Sequence, residues 1–260
     1  MQKCSVNFDF VHKLADAADV ETLKHFRSGF AVENKLSAGF DPVTVADKSA
    51  EKAIRAVIEK HYPEHGIIGE EYGRQNERAD HQWVLDPIDG TRSYISGTPL
   101  WGTLIGLSVD GAASLGMLSQ PYIRERYWGD RTSAYYRGPI GDRQLKTRNC
   151  TGLEEAIIMT TDPSLFEEQE RPLYDTIENR ARLARYSADC YGYAMVAAGC
   201  CDCVIESGLN TYDILPLIPI VEGAGGAITD WAGAPAENGG QILACGDKRL
   251  HEQLLRILAG

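Results

Sequence analysis

The stretch Trp83-Val84-Leu85-Asp86-Pro87-Ile88-Asp89-Gly90-Thr91 decides how this chain is read. Trp83–Leu85 is a short apolar run, the signature of a strand reaching a site from the core. It delivers two carboxylates, Asp86 and Asp89, on either side of Pro87 and Ile88. Proline fixes its own φ and pushes the residue before it into the extended region, which holds Asp86 rigidly. Gly90 permits an unusual φ, and Thr91-Arg92-Ser93 opens a short helix whose N–H groups can face an anion. Hard carboxylate and carbonyl oxygens beside such a turn are what a magnesium ion and a phosphate ester require. The competing reading is an ordinary Asx/Gly turn with solvated acids, since two acids at this spacing are common.

The flanking segments add acids. His65–Gly69 reads as a buried strand running into Glu70 and Glu71, and the polar residues 72–82 as a loop returning to Trp83. An acidic pair at a strand end is often just a solvated edge. Here two neighbouring strands ending in Glu70 and Asp86 would crowd three or more carboxylates together, which like charges disfavour unless a cation is present. Further upstream, Asp41-Pro42-Val43-Thr44-Val45-Ala46-Asp47 leads into a helix with Asp47 as its expected N-cap. Ala50, Ala53, Ile54, Val57 and Ile58 form its apolar stripe, and it ends before Pro63. Residues 8–26 carry the same helical periodicity, and 35–40 read as a loop or edge strand.

Downstream, Thr103–Val109 and Ala112–Leu118 around Asp110-Gly111 predict a hairpin. Arg126–Trp128 and Ser133–Tyr136 predict further antiparallel strands, and 140–150 a connection between halves. The second half reads as strand Ala156–Thr160, a helix over 163–182, strand Leu183–Tyr186, a helix from Tyr191 to Ala198 and strand Cys203–Glu206. Ile214 opens a helix through Glu222, followed by strands Ala227–Asp230 and Gln241–Ala244 and a last helix capped by Asp247. Asp189, Glu206 and Asp213 fall at element ends, where an acid can cap, stay solvated or ligate.

Composition bounds the rest. At 260 residues with 43% hydrophobic and 24% charged content, the chain suits a soluble globular protein. A net charge of −11 argues against a nucleic-acid surface. No apolar run is long enough to span a membrane, and no signal peptide precedes the fold, so a cytoplasmic location is expected. Seven cysteines without framework spacing read as reduced thiols, and most of the six histidines as surface residues.

The pieces D41PVTVAD47, I67IGEE71, W83VLDPIDGT91 and T211YD213, in this order, resemble the inositol monophosphatase family of magnesium-dependent phosphatases. The resemblance covers nearly the whole chain. It implies an α+β fold, a layered αβαβα sandwich of the inositol monophosphatase and fructose-1,6-bisphosphatase type. It implies one such domain over 1–260, with most metal ligands in about 1–145 and the last ligand and substrate acids in about 146–260. Two to three Mg²⁺ ions are implied: Glu70, Asp86 and the Ile88 carbonyl hold one, Asp86, Asp89 and Asp213 a second, and Glu70 shares a looser third. Amides at Gly90 and Thr91 would receive the phosphate, with Asp47, Thr91 and Glu70 orienting the attacking water. A homodimer is implied as well.

Within the family, D189CY191, E206SGL209, Y212D213 and I218PIVEGAGGAITDW231 resemble the histidinol-phosphate phosphatases. Histidinol phosphate carries an ammonium and an imidazole, so Asp189 and Glu206 would pair with cationic groups. The alternatives are an inositol-1-monophosphatase, a promiscuous phosphatase of the same family, or an inactive relative that binds phosphate ligands.

Overall fold

The computed structural model describes residues 6–28, 32–34 and 42–260. The loop or edge strand expected over 35–40, and Asp41 of the first motif, lie outside the described residues. In chain order the first part contains α1 (Phe8–His25), β1 (Val32–Asn34), β2 (Pro42–Thr44), α2 (Val45–His61), β3 (Gly66–Gly69), β4 (Gly73–Gln75), β5 (His81–Asp89) and α3 (Thr91–Ile95). Then come β6 (Gly102–Val109), β7 (Ala112–Gln120), β8 (Glu125–Gly129), β9 (Ala134–Arg137) and β10 (Arg143–Gln144). The remainder is β11 (Ile157–Met159), α4 (Arg171–Glu178), β12 (Leu183–Arg185), α5 (Asp189–Ala197), β13 (Cys203–Leu209), α6 (Thr211–Ile214), α7 (Ile218–Gly223), β14 (Ala227–Asp230), β15 (Gly240–Cys245) and α8 (Lys248–Leu258).

Two large sheets organise the described elements, beside a small antiparallel β1–β2 pair. One has eight strands in the order β10-β9-β8-β7-β6-β5-β3-β4, the other five in the order β12-β11-β13-β15-β14. α1 and α2 bury Leu14, Ala18, Ile54 and Ile58 against Trp83, Leu85 and Ile105 on one face of the large sheet. Its other face packs Val84, Leu104 and Leu118 against α5, α6 and α7, which also touch Val204 and Ile242 of the small sheet. α4 and α8 cover the far face of the small sheet through Tyr174, Ile177, Leu250 and Leu254. The layers therefore run α, β, α, β, α, the arrangement that gives each sheet two covered faces.

The deciding stretch behaves as its chemistry requires. β5 pairs parallel to β3 (Ile67↔Trp83, Gly69↔Leu85) and antiparallel to β6, with the register slipping between Asp86 and Asp89. Pro87 lies in that slip and lacks the N–H that a regular ladder would need. The Asp110-Gly111 hairpin forms with both residues at positive φ, 52° and 84°, the two-residue turn that matches strand twist.

Several expectations need correction. The N-cap of α2 is Thr44, and Asp47 sits one turn in, returning a capping-box bond to Thr44. The polar stretch 72–82 contains edge strand β4, whose exposed three residues carry no alternation. The helix expected over 163–182 is only α4, preceded by a 3-10 turn at Pro163–Leu165; Pro172 is tolerated in the first turn and nowhere deeper. The segment from Ile214 to Glu222 is two short helices broken around Pro216. His65 and His251 are buried, accepting or sharing bonds with Trp83 and Thr229.

Candidate active site

The site lies where the parallel strands β3 and β5 end and the N-termini of α3, α5 and α6 meet them. Carboxylate oxygens of Asp86, Asp89 and Asp213 come within 4.8 Å of one another. Asp86 is 2% exposed, carried on the last core residues of β5, and its Oδ1 accepts the Ile88 N–H at 3.0 Å. An Oδ2 of Asp89 accepts the Cys190 N–H at 2.6 Å, tying β5 to the start of α5. Asp213 is held by the Asn210 N–H at 2.6 Å within a capping box. Glu70 stands outside this tight trio but reaches Asp86, with which it shares a hydrogen bond. Its own N–H is fixed by the Leu85 carbonyl at 3.1 Å.

The electrostatics follow from this crowding. Burial raises the Asp86 carboxyl well above its ordinary range, reinforced by the charges of Glu70, Asp89 and Asp213. Burial raises Asp89 likewise, reinforced by Asp189 and Asp213. Four acids clustered this closely, all hard oxygen donors, make a poor resting state without a cation and a good bed for Mg²⁺, Mn²⁺ or Ca²⁺. The residues present therefore fit a divalent metal.

Gly90, Thr91 and Asp47 are the residues expected to receive phosphate and to orient water. Gly90 adopts φ 81°, and a Cβ there would lie 2.9 Å from the Leu100 carbonyl oxygen, so only glycine fits. The Thr91 hydroxyl donates to the Ile88 carbonyl at 3.0 Å. The Asp47 carboxylate is engaged by the Thr44 N–H at 2.8 Å and the Thr44 hydroxyl at 2.6 Å. Burial lifts Asp47 to about 6 despite those two bonds. α3 packs against β2, which brings the starts of α2 and α3 together.

Beyond the trio a cleft of about 210 Å³ is lined by Asp189, Glu206, Thr161, Leu165, Phe166 and Arg92, among others. Asp189 adopts φ 44°, a left-handed conformation that Asp tolerates better than most residues. Its carboxylate accepts the Ser93 hydroxyl at 3.3 Å, and burial lifts it to about 6 against the opposing pull of Ser93, Arg92 and Thr161. Glu206 is buried at the end of regular β13 pairing; it accepts the Thr161 N–H at 3.0 Å and the Tyr193 hydroxyl at 2.8 Å. Burial lifts it to about 7.

Of the acids expected at a site, Asp89, Asp189, Glu206 and Asp213 line this cleft, Asp86 completes the trio, Glu70 reaches Asp86, and Asp47 stands in the first turn of α2. Thr161 and Tyr193 were not singled out, and Arg92 and Ser93 entered only as the opening of a short helix. Thr161 lies 45 positions from Glu206, and Ser93 lies 96 positions from Asp189, so no local pattern announces either pairing.

A family model described as the inositol monophosphatase family matches residues 7–259. The chain is 41% identical over 256 residues to the chloroplastic bifunctional phosphatase IMPL2 of Arabidopsis thaliana, covering 94% of this chain and 72% of that one. It is 32% identical to a histidinol-phosphatase of Chlorobaculum parvum, covering 95% and 94%. Among solved structures, an inositol monophosphatase from Zymomonas mobilis superimposes with TM-score 0.86 at 40% identity, covering 97% of each chain.

Proposed function

The chain belongs to the inositol monophosphatase family, and from that premise we propose that it hydrolyses a small phosphate monoester with Mg²⁺, histidinol phosphate being the preferred substrate. The observation that carries the substrate choice is the placement of Asp189 and Glu206, two enclosed acids, in the cleft beside the Asp86–Asp89–Asp213 trio. Histidinol phosphate offers two cationic groups to such acids, and charge-assisted bonds to them are the strong ones. Relatives named histidinol-phosphatase support the reading.

In this scheme Asp86, Asp89 and Asp213 would hold one ion, Glu70, Asp86 and the Ile88 carbonyl would hold another, and Glu70 would also serve a looser third. Bound Mg²⁺ would neutralise the phosphate and acidify water. The chain's own groups do the positioning that phosphoryl transfer mostly consists of. The amides of Gly90 and Thr91 receive the phosphate at the first turn of α3. Asp47, Thr91 and Glu70 orient the attacking water, with Asp47, lifted toward neutrality by burial, suited to take its proton. Asp189 and Glu206 hold the leaving alcohol. Histidine biosynthesis, a cytoplasmic location and a homodimer complete the proposal.

The second reading is an inositol-1-phosphatase, favoured by the Zymomonas structure and by the ability of Glu206 to accept a hydroxyl. Asp189→Asn separates the two, because Asn also tolerates left-handed backbone and keeps the shape. Losing one charge-assisted bond is worth about 2 kcal/mol, so kcat/KM for histidinol phosphate should fall roughly 30-fold. Inositol 1-phosphate should lose far less. Equal losses on both substrates would contradict the pairing.

A further inference from the structure

We propose that Glu51 and Arg55 are positioning residues: they grip the turn after β3 so that Glu70 stays beside Asp86, and thereby set the metal affinity of the site. The inference rests on the reading of Glu70 as a metal ligand. Asp47, Glu51 and Arg55 recur every four residues and share one face of α2. Glu51 is 0% exposed, and its carboxylate accepts the Glu71 N–H at 2.7 Å, the Tyr72 N–H at 3.2 Å and Arg55 Nε at 2.8 Å. Arg55 reaches the far side of the same turn, donating to the Gly73 carbonyl at 2.6 Å and to Gln75 Oε1 at 3.3 Å.

Residues 71–73 are therefore held from both sides, while the Glu70 N–H is held by Leu85, the residue before Asp86. Gly69 admits the clamp: a Cβ there would lie 2.0 Å from Glu51 Oε1. A buried ion pair is weak evidence for stability, since apolar residues of equal volume often do as well. These charges instead face the backbone of the turn that carries a candidate ligand. Partners behind ligands typically tune metal affinity 10- to 100-fold. One rod, α2, then fixes both Asp47 and Glu70 in register.

The test is calorimetric titration of Mg²⁺ into metal-free protein for the wild type, Glu51→Gln, Arg55→Lys and Glu70→Gln. Glu51→Gln should raise the Mg²⁺ dissociation constant about tenfold. Its KM at saturating Mg²⁺ should stay near the wild-type value. Arg55→Lys leaves Glu51 a charged partner but loses the fork to Gly73, so it should weaken Mg²⁺ binding by less. It carries the test if Glu51→Gln does not fold. Wild-type Mg²⁺ affinity in both variants, or a loss confined to thermal stability, overturns the clamp. If Glu70→Gln itself binds Mg²⁺ like the wild type, the ligand reading of Glu70 fails first; if only Glu70→Gln weakens binding, the clamp alone fails.

Discussion

Glu206 lines the cleft with two hydroxyls and one N–H on its buried carboxylate, yet burial still lifts it from 4.5 to about 7. Each pKa unit is about 1.4 kcal/mol, so ionising it costs the metal-free fold about 3 kcal/mol. A raised folded-state value means that the native state binds the proton more tightly than the unfolded chain. That stability is complete below the unfolded value of 4.5 and is lost as pH rises through the folded value near 7. Asp47 and Asp189, lifted from 3.8 to about 6, act in the same direction. The melting temperature of metal-free protein should therefore fall between about pH 4.5 and 7. Glu206→Gln should flatten that slope in scanning calorimetry, and an unchanged slope would contradict the assignment. Asp86→Asn should abolish turnover while raising the metal-free melting temperature, because it removes one member of a repelling buried cluster. Turnover at the wild-type level would contradict a metal role for Asp86.

At the scale of elements, three glycines explain how Asp213 is delivered. Gly106, Gly116 and Gly129 are direct cross-strand partners on β6, β7 and β8, and together they form a flat strip across the sheet. The chain from Leu215 to Ile220 lies in it so closely that a Cβ on Gly116 would sit 1.9 Å from the Pro216 carbonyl oxygen. Gly116→Ala should cost about 1–3 kcal/mol in urea denaturation, the usual range for overpacking. Activity should also fall, because the displaced segment carries Asp213 just ahead of it. Full activity with a normal midpoint would show that the segment yields freely. The sequence could not reveal this strip, since it exists only once the register of three strands is set. The β5 turn was legible because Pro87, Gly90 and the flanking acids act locally, and the β6–β7 hairpin because Asp110-Gly111 does. Misreadings fell where proline divides an apolar run, as at Pro216, or where an edge strand such as β4 buries nothing. At α2 the capping box shifted the cap by one turn, from Asp47 to Thr44. The acids of the site were each legible by type, but Asp189 is held by Ser93 of the other half of the chain, and Glu206 by Thr161, 45 positions away.

At the scale of the molecule, the acid trio draws on both halves: β5 belongs to the large sheet, whereas Asp213 follows the last strand residues of β13 in the small one. A cation there would bridge the halves and bind the native state only. Binding of that kind raises the melting temperature by mass action. Because the cluster must ionise to bind, added Mg²⁺ should raise it more at pH 8 than at pH 5.5; an equal rise at both would argue against a carboxylate site. The proposed activity is Mg²⁺-dependent phosphate release with a preference for histidinol phosphate. The direct measurement compares initial rates of phosphate release from histidinol phosphate and inositol 1-phosphate, each with Mg²⁺ and with a chelator. Release should need Mg²⁺, with a markedly higher kcat/KM for histidinol phosphate. Release that ignores the chelator, or no release from either ester, would contradict it.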